Sequence, residues 1–329
     1  MERLTLDFDP YANDPGHWGA SLVNLAELLV ACLEAAGARS VIEVGAYAGD
    51  LTELLADWAA GSGATVSAVD PSPQPELVEL AERRPEIELV RETSLDALRH
   101  VPIPDAAVID GDHNWFTVSE ELRLIAERAG AALPLLLFHD VCWPHARRDD
   151  YFDPAAIPVD RRQPYQEGGN IYPGVEGFRP GGLPYHFPAV REGGERNGVL
   201  TAVEDFVAQH AGLRLAVVPA FFGLGVVWPE QAGWAPRLEA LLAGWDRNPV
   251  LERLEENRVL HLASSHFQMV EAVKAQQRAA RQEAVLRRLL DSSAFAVAER
   301  LSRLRVRAGI ARDASVVSKD DIRRALSDD

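Results

Sequence analysis

Between Val41 and Val141 short runs of branched apolar residues alternate with amphipathic stretches, and no other feature constrains the fold of this chain as strongly. The runs are VIEV at 41, TVSAVD at 65, IELV at 87, AAVID at 106 and PLLLFHDV over 134–141. Amphipathic segments begin at about Asp50 and Pro75, and another spans about Thr117 to Ala129. This alternation predicts βαβ units and a parallel sheet. The unbroken apolar character of 134–141 suits a central strand covered on both faces. A helix over about Asn197 to His210 then leads to LRLAVVPA at 213 and FFGLGVVWP at 221, runs too close together for a parallel crossover, so they are expected to pair antiparallel. The expected fold is therefore α/β, a doubly wound, mostly parallel seven-stranded sheet with a terminal antiparallel hairpin.

Three further segments complete the layout. Residues 19–37 carry Leu22, Leu25, Leu28, Leu29, Cys32 and Leu33 at helical spacing up to Gly37, which predicts a helix packed on the sheet. Residues 143–200 are rich in Gly, Pro and aromatic residues and read as a lid or substrate-binding insertion, or else as a disordered loop. From about Trp234 the pattern is helical, with Ser292 or Ser293 capping a second helix and Ser318 with Asp321 forming a capping-box spacing. The expected division is a domain over 1–230 and a C-terminal helical appendage over 231–329.

A chain of 329 residues with 47% hydrophobic content buries one large core without staples, and its two cysteines, Cys32 and Cys142, give no disulfide framework. A reducing, cytoplasmic setting is expected. The first residues show no leader pattern and no stretch reaches about 18 apolar residues, so no transmembrane segment is expected. A net charge of -17 disfavours nucleic acid as a partner, because such binding draws its affinity from neutralising phosphates.

The residues that carry chemistry fall at the ends of the predicted strands. EVGAYAG, from Glu43 through Gly45, Ala46 and Tyr47 to Gly49, lies between a strand and a helix, where glycines permit close approach of a ligand to free helix N–H groups. It can equally be a plain strand-to-helix turn. Asp70 ends the second strand, a position where an acid commonly accepts from both ribose hydroxyls. Ser94 and Asp96 follow the third strand and either bracket an adenine or cap a helix. DGDHNW, Asp110 to Trp115, ends the fourth strand, and His139 and Asp140 end the fifth. Ligands collect outside the carboxyl ends of such strands, so these groups are expected in one crevice. Three or four of them can bind one metal, magnesium or manganese by their oxygen content, with zinc or iron tolerated by His139. His113 is the candidate base for deprotonating an alcohol, alongside Asp110; the alternative is that His113 and His139 only make local hydrogen bonds.

In this order, EVGAYAG, DGDH and the HD pair resemble class I S-adenosylmethionine-dependent methyltransferases, in particular the metal-dependent sugar O-methyltransferases of antibiotic pathways. The resemblance covers about residues 20–228, and the order of five parallel strands and a closing hairpin is that of the class. It implies S-adenosylmethionine as cofactor, held by Glu43, Gly45, Ala46, Tyr47, Gly49, Asp70, Ser94, Asp96 and Asp110. It further implies Mg2+ on Asp110, His139 and Asp140, and His113 as base. Where that family has two acidic residues after the fifth strand, this sequence has His139 and Asp140.

The expected activity is O-methylation of a hydroxyl on a sugar or glycosylated small molecule. Aromatics of 143–200, interleaved with Asp149, Asp150, Arg161, Arg162 and Asn170, fit a sugar-binding wall or an irregular loop packed by its own side chains. Glu204 and Asp205 read as a solvated helix face. Between Lys274 and Arg312 lie ten basic residues against three acids, which reads as a solvated face, as docking onto the acidic body or onto a subunit in a homo-oligomer, or as contact with an anionic membrane surface. Two other readings remain at this point: an NAD-dependent oxidoreductase, opposed by the missing third glycine of GxGxxG, and a donor-binding scaffold without catalysis.

Overall fold

A computed structural model describes residues 22–179, 181–310 and 317–326. Helix α1 (Ala26–Ala36) follows a 3-10 turn over Leu22–Leu25 and stops where Gly37 turns left-handed at φ 68°. It is shorter than the helix expected over 19–37, whose first residues lie outside the described ones. The chain then alternates as read: β1 (Ser40–Val44), α2 (Asp50–Ser62), β2 (Thr65–Val69), α3 (Pro75–Arg83), β3 (Ile87–Val90), the short α4 (Ser94–Ala97), β4 (Ala106–Ile109), α5 (Trp115–Ala129) and β5 (Leu135–His139). Helix α5 starts two residues before the expected Thr117, because the Asn114 side chain accepts from the Thr117 amide at 2.9 Å and caps it there. Helix α6 (Val199–Gln209) leads to β8 (Leu213–Val218) and β9 (Leu224–Pro229).

The strand order is β3-β2-β1-β4-β5-β9-β8. Strands β1 to β5 pair in parallel, and β9 runs antiparallel to both β5 and β8, as a doubly wound sheet closed by a hairpin requires. Both faces are covered, so side chains of period two enter two different cores. Val41, Val108, Leu135 and Leu137 pack with α1 and α2, whereas Ile42, Val44, Ile109, Leu136 and Phe138 pack with α5 and α6. This explains the unbroken apolar run of β5, in which every residue is buried. The parallel register aligns Val44 with Val69 and Ile109, and Ile109 with Phe138, so the ends of β1, β2, β4 and β5 share one edge.

The segment 143–200 is a folded insertion. It carries the strands β6 (Asn170–Ile171) and β7 (Leu183–Pro184), and bridges tie Asp150 to Pro188 and Tyr165 to Ala189. Arg148, wholly buried, donates to the Ala189 carbonyl at 2.7 Å. Asp149, equally buried, accepts from the Trp115 and Gly198 amides at 2.8 and 2.7 Å and from the Tyr151 hydroxyl at 2.8 Å. One carboxylate thus fastens the insertion to the starts of α5 and α6. The expected solvated pair on α6 is also engaged: Glu204 meets Arg147 at 2.7 Å, and Asp205 accepts from the Trp115 indole at 2.9 Å.

One compact unit extends to Ser264 and includes α7 (Ala235–Leu242), whose Ala235, Leu238 and Leu242 join the α1 core, and the first turns of α8 (Pro249–Asp291). The second unit starts at Ser265 and holds the rest of α8, α9 (Ser293–Arg307) and α10 (Lys319–Ala325). Ser292 caps α9, and Ser318 with Asp321 forms the capping box of α10. Its basic residues pair along their own helices, Lys274 with Glu271, Arg287 with Glu283 and Arg303 with Glu299. Among the described residues no helix is long and apolar enough to cross a membrane.

Candidate active site

The turn after β1 is built against the end of β4. Gly45, at φ 88°, donates to the Val69 carbonyl at 2.9 Å, and a Cβ there would lie 2.7 Å from Gly111 Cα and closer still to the Asp110 carbonyl. Only glycine fits this approach. Tyr47 is left-handed at φ 43°, with its ring exposed and its amide 2.8 Å from Asp70 Oδ2; the Ser72 amide meets Asp70 Oδ1 at 2.7 Å. Each Asp70 oxygen therefore keeps a lone pair for a further donor. Ala46 is buried, and Gly49 opens α2. Glu43 points into the same region, where its Oε2 accepts from the Thr52 hydroxyl at 2.6 Å. Burial, with added repulsion from Asp110, Asp70 and Asp50, pushes its carboxyl up to about 8. The carboxylates of Asp70 and Asp110 beside this turn favour a positively charged ligand.

After β3 the helix cap is Thr93, not Ser94. Thr93 accepts from the Asp96 amide at 3.2 Å and donates to the Asp96 carboxylate at 2.8 Å, so Asp96 completes the cap. Ser94 is the first residue of α4 and lies beside Glu121 of α5.

At the ends of β4 and β5, one potential ligand atom from each of Asp110, His139 and Asp140 lies within 4.8 Å of the others. His139 Nδ1 is 3.1 Å from Asp110 Oδ1 and 3.5 Å from Asp140 Oδ2, while Nε2 faces the Phe221 carbonyl at 2.9 Å. Burial opposes a charge on this ring, but the two carboxylates and the hydrogen bonds outweigh it and push His139 up to about 10. In its charged form the ring donates from both nitrogens. The Phe221 carbonyl fixes the proton on Nε2, which is the usual support for a metal-binding imidazole and leaves Nδ1 as ligand. Two carboxylates and one imidazole therefore fit a divalent cation, and their oxygen content favours magnesium or manganese.

His113 Nδ1 lies 3.1 Å from Asp140 Oδ2, and the side chain is 32% exposed. Burial alone would lower its pKa, but Asp140, Asp110, Asp150 and Asp112 raise it. Its ring stacks on His145 at 4.9 Å, and His145 meets the edge of Tyr185 at 4.8 Å. Burial pushes His145 down to about 4, so it is a neutral, flat partner. Sequence reasoning missed His145; its signal was a third histidine six positions after His139. The structure thus brings Glu43, Gly45, Asp70, Asp110, His113, His139 and Asp140 to one edge of the sheet, linked by the contacts above.

No family model matches the chain, and no curated protein does. Among solved structures it is similar to the SAH-bound Podospora anserina methyltransferase PaMTH1, at 12% identity and TM-score 0.40, over 66% of this chain and 82% of that one. A proposed O-methyltransferase from Klebsiella pneumoniae shares 14% identity at TM-score 0.40, over 68% and 87%. A methyltransferase from Geobacter sulfurreducens shares 12% at TM-score 0.36, over 68% and 86%. Similarity at this level bears on no residue of the site.

The expected sugar wall is largely spent on structure. Asp149 is the anchor described above, Asp150 accepts from the Phe187 amide at 2.9 Å, and Asn170 donates to the Gly182 carbonyl at 3.2 Å. Asp112 likewise serves the fold, accepting from the Thr117 hydroxyl at 2.9 Å and the Phe152 amide at 3.0 Å. Aromatic groups of the insertion nearer the site are Tyr185, beside His145, and Trp143, which packs in the same cluster as Tyr185. A groove of about 680 Å³ between α5 and α6 is lined by Trp115 but by none of Glu43, Gly45, Asp70, Asp110, His113, His139 and Asp140.

Proposed function

We propose that this chain is an S-adenosylmethionine-dependent methyltransferase acting on a hydroxyl, with a divalent cation held by Asp110, His139 and Asp140. The observation that carries this reading is convergence: the Glu43–Gly49 turn, Asp70, Asp110, His113, His139 and Asp140 come from four strand ends and meet at one edge. In the proposed complex Gly45 to Gly49 give the donor's amino-acid portion a close backbone approach, and Asp70 accepts from the ribose hydroxyls. Asp110 favours its positive charges, Glu43 supports the turn through the Thr52 hydroxyl, and Ser94 and Asp96 lie on the adenine side.

The donor supplies the methyl group together with its own leaving group, so the protein's work is orientation and proton removal. Asp140 accepts a hydrogen bond from His113 Nδ1–H and so keeps the proton on that nitrogen, which leaves the Nε2 lone pair to take the acceptor's proton as its oxygen attacks. A cation on Asp110, His139 and Asp140 would supply charge stabilisation for the developing alkoxide. The half-buried ring of Tyr185, packed on His145 beside the base, favours a sugar or glycosylated small molecule as acceptor.

Labelled S-adenosylmethionine, Mg2+ and a fractionated extract provide the test. Label should move to a hydroxyl of a small molecule, and His113→Ala should lower turnover by about 10²–10⁴ with donor affinity kept. Donor binding with no transfer to any fraction would instead favour a scaffold.

A further inference from the structure

The link between β8 and β9 holds its backbone in a conformation that its side chains oppose. Phe221, Phe222 and Gly223 lie at φ 50°, 65° and 95°, three left-handed residues in succession, of which two are aromatic. A non-glycine residue is strained in this region and stays there only when its surroundings enforce it. The enforcement comes from α8. Glu255, 7% exposed, accepts from the Phe221 amide at 3.0 Å with Oε2 and from the Phe222 amide at 2.7 Å with Oε1. Successive amides of a left-handed turn form a concave anion site, and here a carboxylate of the same chain fills it.

Arg258 completes the clamp. Its Nε and Nη2 donate to the two Glu255 oxygens at 2.7 and 2.6 Å, and its guanidinium lies 4.5 Å from the Phe222 ring centre. The carbonyls of the same turn face β5. Phe221 O accepts from His139 Nε2 at 2.9 Å, and Phe222 O accepts from the Cys142 amide at 2.7 Å. The turn is therefore held by its amides on one side and holds His139 by a carbonyl on the other.

We infer that Glu255 is a positioning residue for the cation site: by fixing the Phe221–Gly223 turn it fixes the acceptor that orients His139 Nδ1 toward Asp110 and Asp140. This rests on the cation reading given under Proposed function. Glutamine at 255 offers one acceptor oxygen for two amides and no charge for Arg258. The turn then relaxes, and His139 loses its fixed partner.

The test is Mn2+ binding to the full chain, followed by electron paramagnetic resonance, for wild type, Glu255→Gln, Glu255→Asp and His139→Ala. Donor affinity is measured alongside by calorimetry. Aspartate keeps the charge but is one methylene too short to reach both amides, and it serves if glutamine prevents folding. Either folded variant should bind Mn2+ about 10–100-fold more weakly, the range for loss of an outer partner of a metal ligand, with donor affinity unchanged. A folded variant that binds Mn2+ as tightly as wild type overturns the positioning role and leaves the cation site standing. A wild type that binds no Mn2+ overturns both.

Discussion

Glu121 offers a quantitative test of the structure. It is wholly buried on α5, and among the described residues neither carboxyl oxygen makes a hydrogen bond of good geometry. Burial, with help from Asp112, pushes it up to about 8, and only the nearby Ser94 hydroxyl works the other way. In the unfolded chain the same group titrates near its ordinary value of about 4.5. Between these values the native state holds a proton that the unfolded state has lost, so stability falls as pH rises, by about 1.4 kcal/mol per pH unit. Glu43 and other buried acids contribute to the same slope, and Glu121→Gln separates them, because glutamine does not titrate. The stability of the variant relative to wild type should therefore rise by roughly 3 kcal/mol between pH 5.5 and 7.5. In melting temperature this is about 5–12 °C for a unit of this size. Thermal melts of both proteins at several pH values provide the measurement. A difference that stays flat across that range would refute the buried, proton-holding state of Glu121.

Gly45→Ala should destabilise the protein by about 2–5 kcal/mol, since the new Cβ combines a left-handed backbone with a clash against the end of β4. Donor binding should be lost with it, as read by chemical denaturation and calorimetry. Asp149→Ala leaves the Trp115 and Gly198 amides and the Tyr151 hydroxyl unpaired in a buried position, and about 3–5 kcal/mol of stability should go. Proteolysis should then cut first within 143–200, where the anchor has been removed.

The sheet was legible because its signals are local. Branched runs, amphipathic spacing and the closeness of β8 to β9 are properties of neighbouring residues, and the parallel register brought the strand ends together as expected. The same holds for Ser292 and Ser318, whose caps involve partners three residues away. What the sequence did not reveal depends on contacts between distant segments. Asp149 looked like a wall residue because nothing nearby marks Trp115 and Gly198 as its donors. Glu204 and Asp205 have the spacing of a solvated face, yet their partners, Arg147 and Trp115, lie 57 and 90 residues earlier. Ser94 stood in for Thr93 because both are good caps and only the backbone decides between them. Glu255 carried no motif at all, since its role arises from the backbone of a turn more than thirty residues away.

Calorimetric titration of the wild-type chain with S-adenosylmethionine and, separately, with NAD+ tests the central claim most directly. The account predicts saturable binding of one S-adenosylmethionine per chain, abolished by Asp70→Ala, and no binding of NAD+. Binding of NAD+ in its place, or a chain that takes up neither ligand, would contradict it.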